Sequence, residues 1–293
     1  MTDNYLAVAM KIAREAGAIL REEAKHPAQI SYKREVDIVT QADKRSEKLI
    51  VERLTKCFPT HSIAAEEGTG HEASSEFRWH VDPLDGTTNF AHGYPCFCVS
   101  IALSRQVTQQ VTQTVRQQTA QRTPEQAVDA TLAAPRDTIL CAVVYDPMHE
   151  ELFAAARGEG ATLNGAKIQV SRNAALATSL LCTGFPVHER FASPNIHYYS
   201  DFTMRSHGVR RDGSAALDLA NVACGRFDGF WEFGLKKWDT AAGVLLVQEA
   251  GGEVSDFSGR PYELGGPVIL ATNSLIHGLL LYIRVTVIRH GRN

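Results

Sequence analysis

The stretch Trp79-His80-Val81-Asp82-Pro83-Leu84-Asp85-Gly86 places the tightest limit on how this chain folds. An apolar strand runs straight into two aspartates separated by a proline and a leucine. Pro83 holds φ at about −65° and suits the second position of a turn. The reading is therefore a strand that ends in an acidic turn, with the Asp82 and Asp85 carboxylates on one side. Two like charges that close repel unless a cation lies between them. The carbonyl of Leu84 can join them, and carboxylate and backbone oxygens are hard donors suited to Mg²⁺ or Ca²⁺. Gly86 lets the backbone approach a ligand closely. A helix that starts at Thr87 or Thr88 leaves the amides of Gly86 and Thr87 as unpaired donors for an anion.

The elements around this turn are mixed in kind. Apolar residues at helical spacing predict a helix over residues 5–24. Thr40 reads as an N-cap with Asp43 three residues on, as in a capping box, opening a helix that runs to about Cys57 and stops at Pro59. Leu49, Ile50 and Leu54 would face inward. Strands are predicted at Phe97 to Leu103, Ile139 to Tyr145 and Glu151 to Ala155, the first two paired. Asn164-Gly165 predicts a hairpin turn before a strand at Lys167 to Ser171. Ser214 to Cys224 and Asp239 to Ala250 read as helices, the second closed by Gly251-Gly252. Phe227 to Glu232 and Val268 to Ala271 read as strands. Helices and strands do not alternate strictly, which favours a layered α+β fold over a doubly wound sheet. Residues 106–138, rich in Gln and Thr at the start, interrupt two strands that should be neighbours; they read first as a solvated, partly disordered insertion, with a short helix on Val107, Val111 and Val115, four apart, as the alternative.

Three further acidic segments accompany the first: Asp37 to Asp43, Ala65-Glu66-Glu67-Gly68, and Trp238-Asp239-Thr240 leading to Glu249-Ala250-Gly251-Gly252. Each alone has a plain explanation. Asp43 caps a helix, Glu66-Glu67 is a solvated edge, Asp239 is an N-cap, and Asp-Pro-x-Asp-Gly is a common turn. All four in this order are not explained by accident.

The charge balance of the 293 residues, 30 basic against 33 acidic for a net −3, gives no pull toward nucleic acid or anionic membrane. An anionic substrate needs a local positive site. The six cysteines include no CxxC pair and read as reduced thiols of a cytoplasmic protein. Met-Thr-Asp-Asn does not open a signal peptide, and the apolar run Leu279 to Ile283 is too short to span a bilayer. Arg157-Gly158-Glu159-Gly160 lacks GxGxxG spacing and reads as a turn. His80 and His92 read as structural or surface groups.

On Asp82 to Phe90 and Trp238 to Gly252 the sequence resembles the inositol monophosphatase family, within the lithium-sensitive, magnesium-dependent sugar phosphatases. The likeness spans nearly the whole chain except 106–138 and the last dozen residues. It implies a single domain over 1–293, a five-layer αβαβα sandwich of the inositol monophosphatase and fructose-1,6-bisphosphatase type, with two fused lobes at roughly 1–185 and 186–293. It also implies a homodimer, and two or three Mg²⁺ ions per site. By motif position, Glu66, Asp82 and the carbonyl of Leu84 would bind one ion, and Asp82, Asp85 and Asp239 another. Thr87 and Asp43 would pair beside the attacking water, and the amides of Gly86 and Thr87 would hold phosphate. Gly213, Ser214, Ala215 and Glu232, with Asp85, would contact a small polyol. Ala65 departs from the family's usual glycine, and 106–138 departs from its length.

The expected activity is hydrolysis of a phosphate monoester, foremost myo-inositol monophosphate. A relative's substrate (histidinol phosphate, fructose 1,6-bisphosphate, a nucleotide phosphate) and a non-catalytic binding protein on the same fold stand as alternatives. The last predicts eroded ligand positions, and here each is filled.

Overall fold

A computed structural model of the chain describes residues 2–26, 30–34, 37–106, 137–185 and 193–290. Its helices are α1 (Thr2–Glu23), α2 (Gln41–Cys57), α3 (Thr87–Ala91), α4 (Asn195–Arg205), α5 (Ala215–Ala223), α6 (Lys237–Glu249) and α7 (His277–His290). Strands β1 (Ile30–Arg34) and β2 (Asp37–Thr40) form a hairpin. A seven-stranded sheet holds β3 (Ser62–Ala65), β4 (Phe77–Asp85), β5 (Cys98–Arg105), β6 (Thr138–Asp146), β7 (Glu151–Ala156), β8 (Gly160–Leu163) and β9 (Ala166–Lys167) in sequence order. Its β3–β4 pair is parallel and the rest is an antiparallel meander. A five-stranded mixed sheet follows the order β11 (Gly208–Arg210), β10 (Leu180–Thr183), β12 (Gly229–Phe233), β14 (Val268–Thr272), β13 (Glu253–Ser255).

Alternation along the strands stacks these pieces into five layers. In β5, Val99, Ile101 and Leu103 join a core with Ile12, Ala16 and Leu20 of α1 and Ile50 and Leu54 of α2. Cys98 and Ala102, one step out of phase, join Leu219 of α5 and Leu245 of α6. In β12, Phe230 belongs to that second core while Trp231 meets Phe202 of α4 and Leu280 of α7. Period-two side chains on strands buried on both faces give this result. The order is α1/α2, seven-stranded sheet, α5/α6, five-stranded sheet, α4/α7, the αβαβα sandwich expected. The two central helices pack so closely that a Cβ on Gly243 of α6 would collide with the Leu219 side chain.

Several local expectations hold. Thr40 and Asp43 form the capping box of α2, and Phe58 ends it before Pro59; Leu49 is only half-buried there. Asn164 and Gly165 both have positive φ, 50° and 83°, as a two-residue hairpin turn requires. The strand after it is shorter than expected, because the Val170 amide has left the sheet for the Ala250 carbonyl. Residues 158–160 form the β7–β8 turn, its Gly158 and Gly160 amides held by the Glu249 carboxylate. β5 and β6 pair from Val99↔Tyr145 to Arg105↔Thr138; most of the predicted insertion, 107–136, lies outside the described residues.

The acidic turn is the clearest difference. β4 continues through Asp82 to Asp85, opposite Ser100 and Cys98, with one residue more than its partner. This is a β-bulge, a place in a sheet where proline is tolerated and side chains are re-aimed. Asp-Pro chemistry reads alike in a turn and in a bulge.

Candidate active site

The bulge is secured from both sides. The Ser46 hydroxyl of α2 donates to the Pro83 carbonyl at 2.8 Å, and the Leu84 amide donates to Asp82 Oδ1 at 3.0 Å. Gly86 then turns the chain into α3 with φ 99°, where any Cβ would stand 2.8 Å from the Cys96 carbonyl. A residue other than glycine is excluded on both counts. The Thr87 hydroxyl, at the first position of α3, lies 3.0 Å from Asp43 Oδ1 and 3.0 Å from the Leu84 carbonyl. Asp43 is fully buried, and its Oδ2 takes the Thr40 amide at 2.7 Å and the Thr40 hydroxyl at 2.6 Å. Burial raises its carboxyl above the ordinary range, and these hydrogen bonds offset part of that rise.

Asp85 is held across two layers, from β4 of the seven-stranded sheet to the start of α5. Its Oδ2 accepts the Ser214 hydroxyl and the Ala216 amide, each at 2.7 Å, with the Ala215 amide also contributing. A carboxylate at the start of α5 is well placed to accept its free amides. Its pKa still rises to about 6, because lost hydration outweighs those donors. Ser214 and Ala215, expected against substrate, thus have a hold on Asp85. Gly213 before them adopts φ 86° and lies against Asn89, whose amide bridges the Cys96 and Asp212 carbonyls at 2.7 Å each. Asp239 is the third residue of α6 and not its cap; Lys236 is the cap, and its amide donates to Asp239 Oδ2 at 2.6 Å. The Ser100 hydroxyl ties β5 to the Trp238 carbonyl at 3.3 Å.

These carboxylates act on one another through their charges. Burial first, then the charges of Glu66, Asp85 and Asp239, push Asp82 well above the usual range. Burial, then Asp85, does the same to Asp239, with Glu66 adding to it. Glu232, buried at the edge of the group, rises through burial and then through Asp239 and Asp85. Gly184 lies beneath Glu232, and a Cβ there would collide with the carboxylate. His80 is buried in β4 against Ser104, and its pKa falls to about 4 through lost hydration and the charges of Lys237 and Arg78; His92 is exposed.

Among the described residues, no three His, Cys, Asp or Glu side chains are drawn together tightly enough to form a metal cage. The donor set nonetheless fits hard divalent cations: Glu66, Asp82, Asp85, Asp239 and the Leu84 carbonyl offer oxygen only. Their mutual repulsion is of the kind a cation removes. Residues that sequence reading missed are those whose partners are remote in sequence: Ser46, Glu47, Asn89, Ser100 and Gly184. Gly184 alone carried a local signal, as a glycine directly after a strand.

A family model described as the inositol monophosphatase family matches residues 1–115 and 118–289. The chain belongs to this family. The match enters 106–138 from both sides and nearly reaches the C-terminus, further than the sequence reading carried the likeness. As a member of the inositol monophosphatase family, the chain is 42% identical over 277 residues to an inositol-1-monophosphatase of Synechocystis, covering 93% of this chain and 86% of that one. It is 41% identical over 284 residues to a protein of Pseudomonas aeruginosa named Nus factor SuhB, covering 94% of each. An Anabaena inositol monophosphatase structure superposes with a TM-score of 0.78 at 39% identity, covering 97% of this chain and 96% of that one. Membership in this family makes the chain a phosphatase by kinship and its substrate a phosphorylated small molecule. The six cysteines are free thiols, and among the described residues no helix is long and apolar enough to cross a membrane.

Proposed function

We propose that this protein hydrolyses the phosphate monoester of a small polyol, with myo-inositol monophosphate the foremost substrate, in a Mg²⁺-dependent reaction. The observation that carries the reading is the Asp43–Thr87 hydrogen bond at 3.0 Å beside four mutually repelling carboxylates. Glu66, Asp82, the Leu84 carbonyl, Asp85 and Asp239 would hold two or three ions, which when bound supply Lewis acidity and neutralise charge on the phosphoryl group. Thr87 donates its hydroxyl hydrogen bond to Asp43 at 3.0 Å and turns its lone pairs toward a water, so that on attack the water's proton passes to Thr87 Oγ1 as the Thr87 proton moves to Asp43, and the leaving alkoxide is protonated by solvent. That polarisation readies the water for in-line attack, since a loose transition state depends mainly on positioning and charge. The amides of Gly86 and Thr87 hold the phosphate oxygens. Gly213, Ser214, Ala215 and Glu232 shape the polyol end, and Asp85 reaches both.

A panel of phosphate esters tests this, with released phosphate measured in Mg²⁺ and in chelator. Magnesium-dependent release from inositol monophosphate, inhibited by Li⁺, is expected; histidinol phosphate, fructose 1,6-bisphosphate and nucleotide phosphates are the comparators. No release from any ester would overturn the reading. Kinship further supports a homodimer in the cytoplasm. A second reading, a role of the kind for which Nus factor SuhB is named, is favoured by the 41% identity to that protein. Binding to transcription components by the Asp82→Asn variant would separate it from hydrolysis.

A further inference from the structure

We propose that Glu47 is a positioning residue for the metal-binding loop: its buried carboxylate clamps the backbone just beyond Glu66 and so sets where that ligand stands. The proposal rests on the metal-dependent reading above.

Asp43, Ser46 and Glu47 occupy one buried face of α2, at i, i+3 and i+4. Asp43 meets Thr87, and Ser46 meets the Pro83 carbonyl of the bulge. Glu47, fully buried, reaches the third acidic segment. Its Oε2 accepts the Glu67 amide at 2.6 Å, and its Oε1 accepts the Thr69 amide at 2.9 Å and the Thr69 hydroxyl at 2.8 Å. On the other side of Glu66, Ala65 pairs with Val81, and the Glu66 amide donates to the Val81 carbonyl at 3.2 Å. Gly68, with φ 85°, closes the loop through its amide to the Ala65 carbonyl at 3.3 Å. The backbone on either side of Glu66 is therefore pinned, by β4 before it and by Glu47 after it. One helix face indexes the Glu66 loop against the bulge that carries Asp82, Leu84 and Asp85.

The chemistry calls for a carboxylate. Three donors converge on Glu47, and an ionised carboxyl is an acceptor only, so all three are met by short charge-assisted bonds. Glutamine would set an NH₂ donor against one of them. The strands would remain, but the loop would lose its fixed place, and groups that orient metal ligands typically change affinity when lost.

The test uses Glu47→Gln in the full chain. In metal-free protein, exchange of the Glu67 and Thr69 amides should accelerate while the far-ultraviolet circular dichroism is unchanged. Calorimetric titration with Mg²⁺ alone should show Kd raised about 10–100-fold, with KM for the ester at saturating Mg²⁺ little changed. Faster exchange with unchanged Mg²⁺ affinity would reduce Glu47 to a stabilising residue and overturn the proposal. Should Glu47→Gln not fold, Thr69→Val removes one bond at an exposed turn and must weaken Mg²⁺ by a smaller factor; unchanged affinity overturns the proposal equally. Asp82→Asn separates the two readings. Wild-type Mg²⁺ binding and turnover in that variant sink the metal-dependent function itself, whereas a dead Asp82→Asn beside a normal Glu47→Gln sinks only the clamp.

Discussion

Asp43 and Glu47 on α2 and the Asp82 and Asp239 pair beside the bulge are all buried or half-buried carboxylates, yet they are treated differently by their surroundings. Asp43 takes three hydrogen bonds and Glu47 three more. Asp82 and Asp239 are each met by one backbone amide while other carboxylates press on them. A buried charge must be paired or hydrogen-bonded. The first region meets most of this from within the protein, its hydrogen bonds offsetting part of the cost of burying Asp43, and serves as scaffold. The second does not, and is built for a partner that brings positive charge.

The sharpest way to break this contrast is to neutralise one member of each region. Asp82→Asn should lower kcat by at least about 10³-fold, beyond the loss typical of one stabilising donor, and yet raise the melting temperature of metal-free protein. Asp43→Asn should lower that temperature, since an amide cannot accept all three donors; losing such a cap costs about 1 kcal/mol. Thermal melts in chelator read the signs. A fall in both variants would erase the distinction between scaffold and site.

Thr87 joins the two regions. Thr87→Ala and Asp43→Asn should each lower kcat about 10²–10⁴-fold, the range for lost proton-transfer assistance. KM should change less, because the residue-87 amide remains. The double variant should be little worse than either single one, as for groups that act together. Additive losses in kcat would detach Asp43 from the water.

This division explains what could be read in the sequence. The Thr40–Asp43 box and the Asn164-Gly165 turn depend on neighbours in the chain, so they were legible. Asp82, Asp85 and Asp239 were legible as a set because each carries its own local pattern of Pro, Gly or Trp. The roles of Ser46, Glu47 and Asn89 were not, because their partners lie 37, 20 or 22, and 123 positions away. The bulge escaped because its register is decided by β5. The assignment of Asp239 as a cap slipped by three residues because Lys236, a poor capping type, occupies that place.

Acidity tests the carboxylates beside the bulge by themselves. Asp85 titrates at about 6 in the folded chain against an ordinary 3.8, so between those values the folded state holds a proton that the unfolded state has released. Stability of metal-free protein is then greatest at the acid end and falls as pH rises through that window, and Asp82 and Asp239, also raised well above the ordinary range, shift it in the same direction. Melts in chelator should gain a few degrees between pH 8 and pH 5.5. Saturating Mg²⁺ should reverse the slope, because protons then compete with the ion. The same slope with and without Mg²⁺ would show that these carboxylates are not where the ion binds.

The smallest effect is expected farthest from both regions. β5 and β6 pair out to Arg105↔Thr138, with a bulge at Leu140 where the register shifts between Leu103 and Ser104, and the Gln106 amide returns to the Glu76 carbonyl at 2.6 Å. Arg105 stands seven residues along β5 from Cys98, about 24 Å at 3.4 Å per residue, whereas Cys98 lies at the bulge opposite Asp85. Replacing 107–136 with Asn-Gly therefore closes an existing hairpin and keeps Asp137, whose carboxylate lies 3.6 Å from Lys237 at the start of α6. That pair is partly exposed, and such bridges contribute about 0–1 kcal/mol. Closure entropy changes only slowly with loop length, about 0.6 kcal/mol per doubling. Turnover per site should match the full chain, and the urea midpoint should stay equal or rise slightly. If the shortened chain folds but loses turnover or Mg²⁺ affinity, residues 107–136 take part in the site. The contrast between scaffold and site would then need a third member.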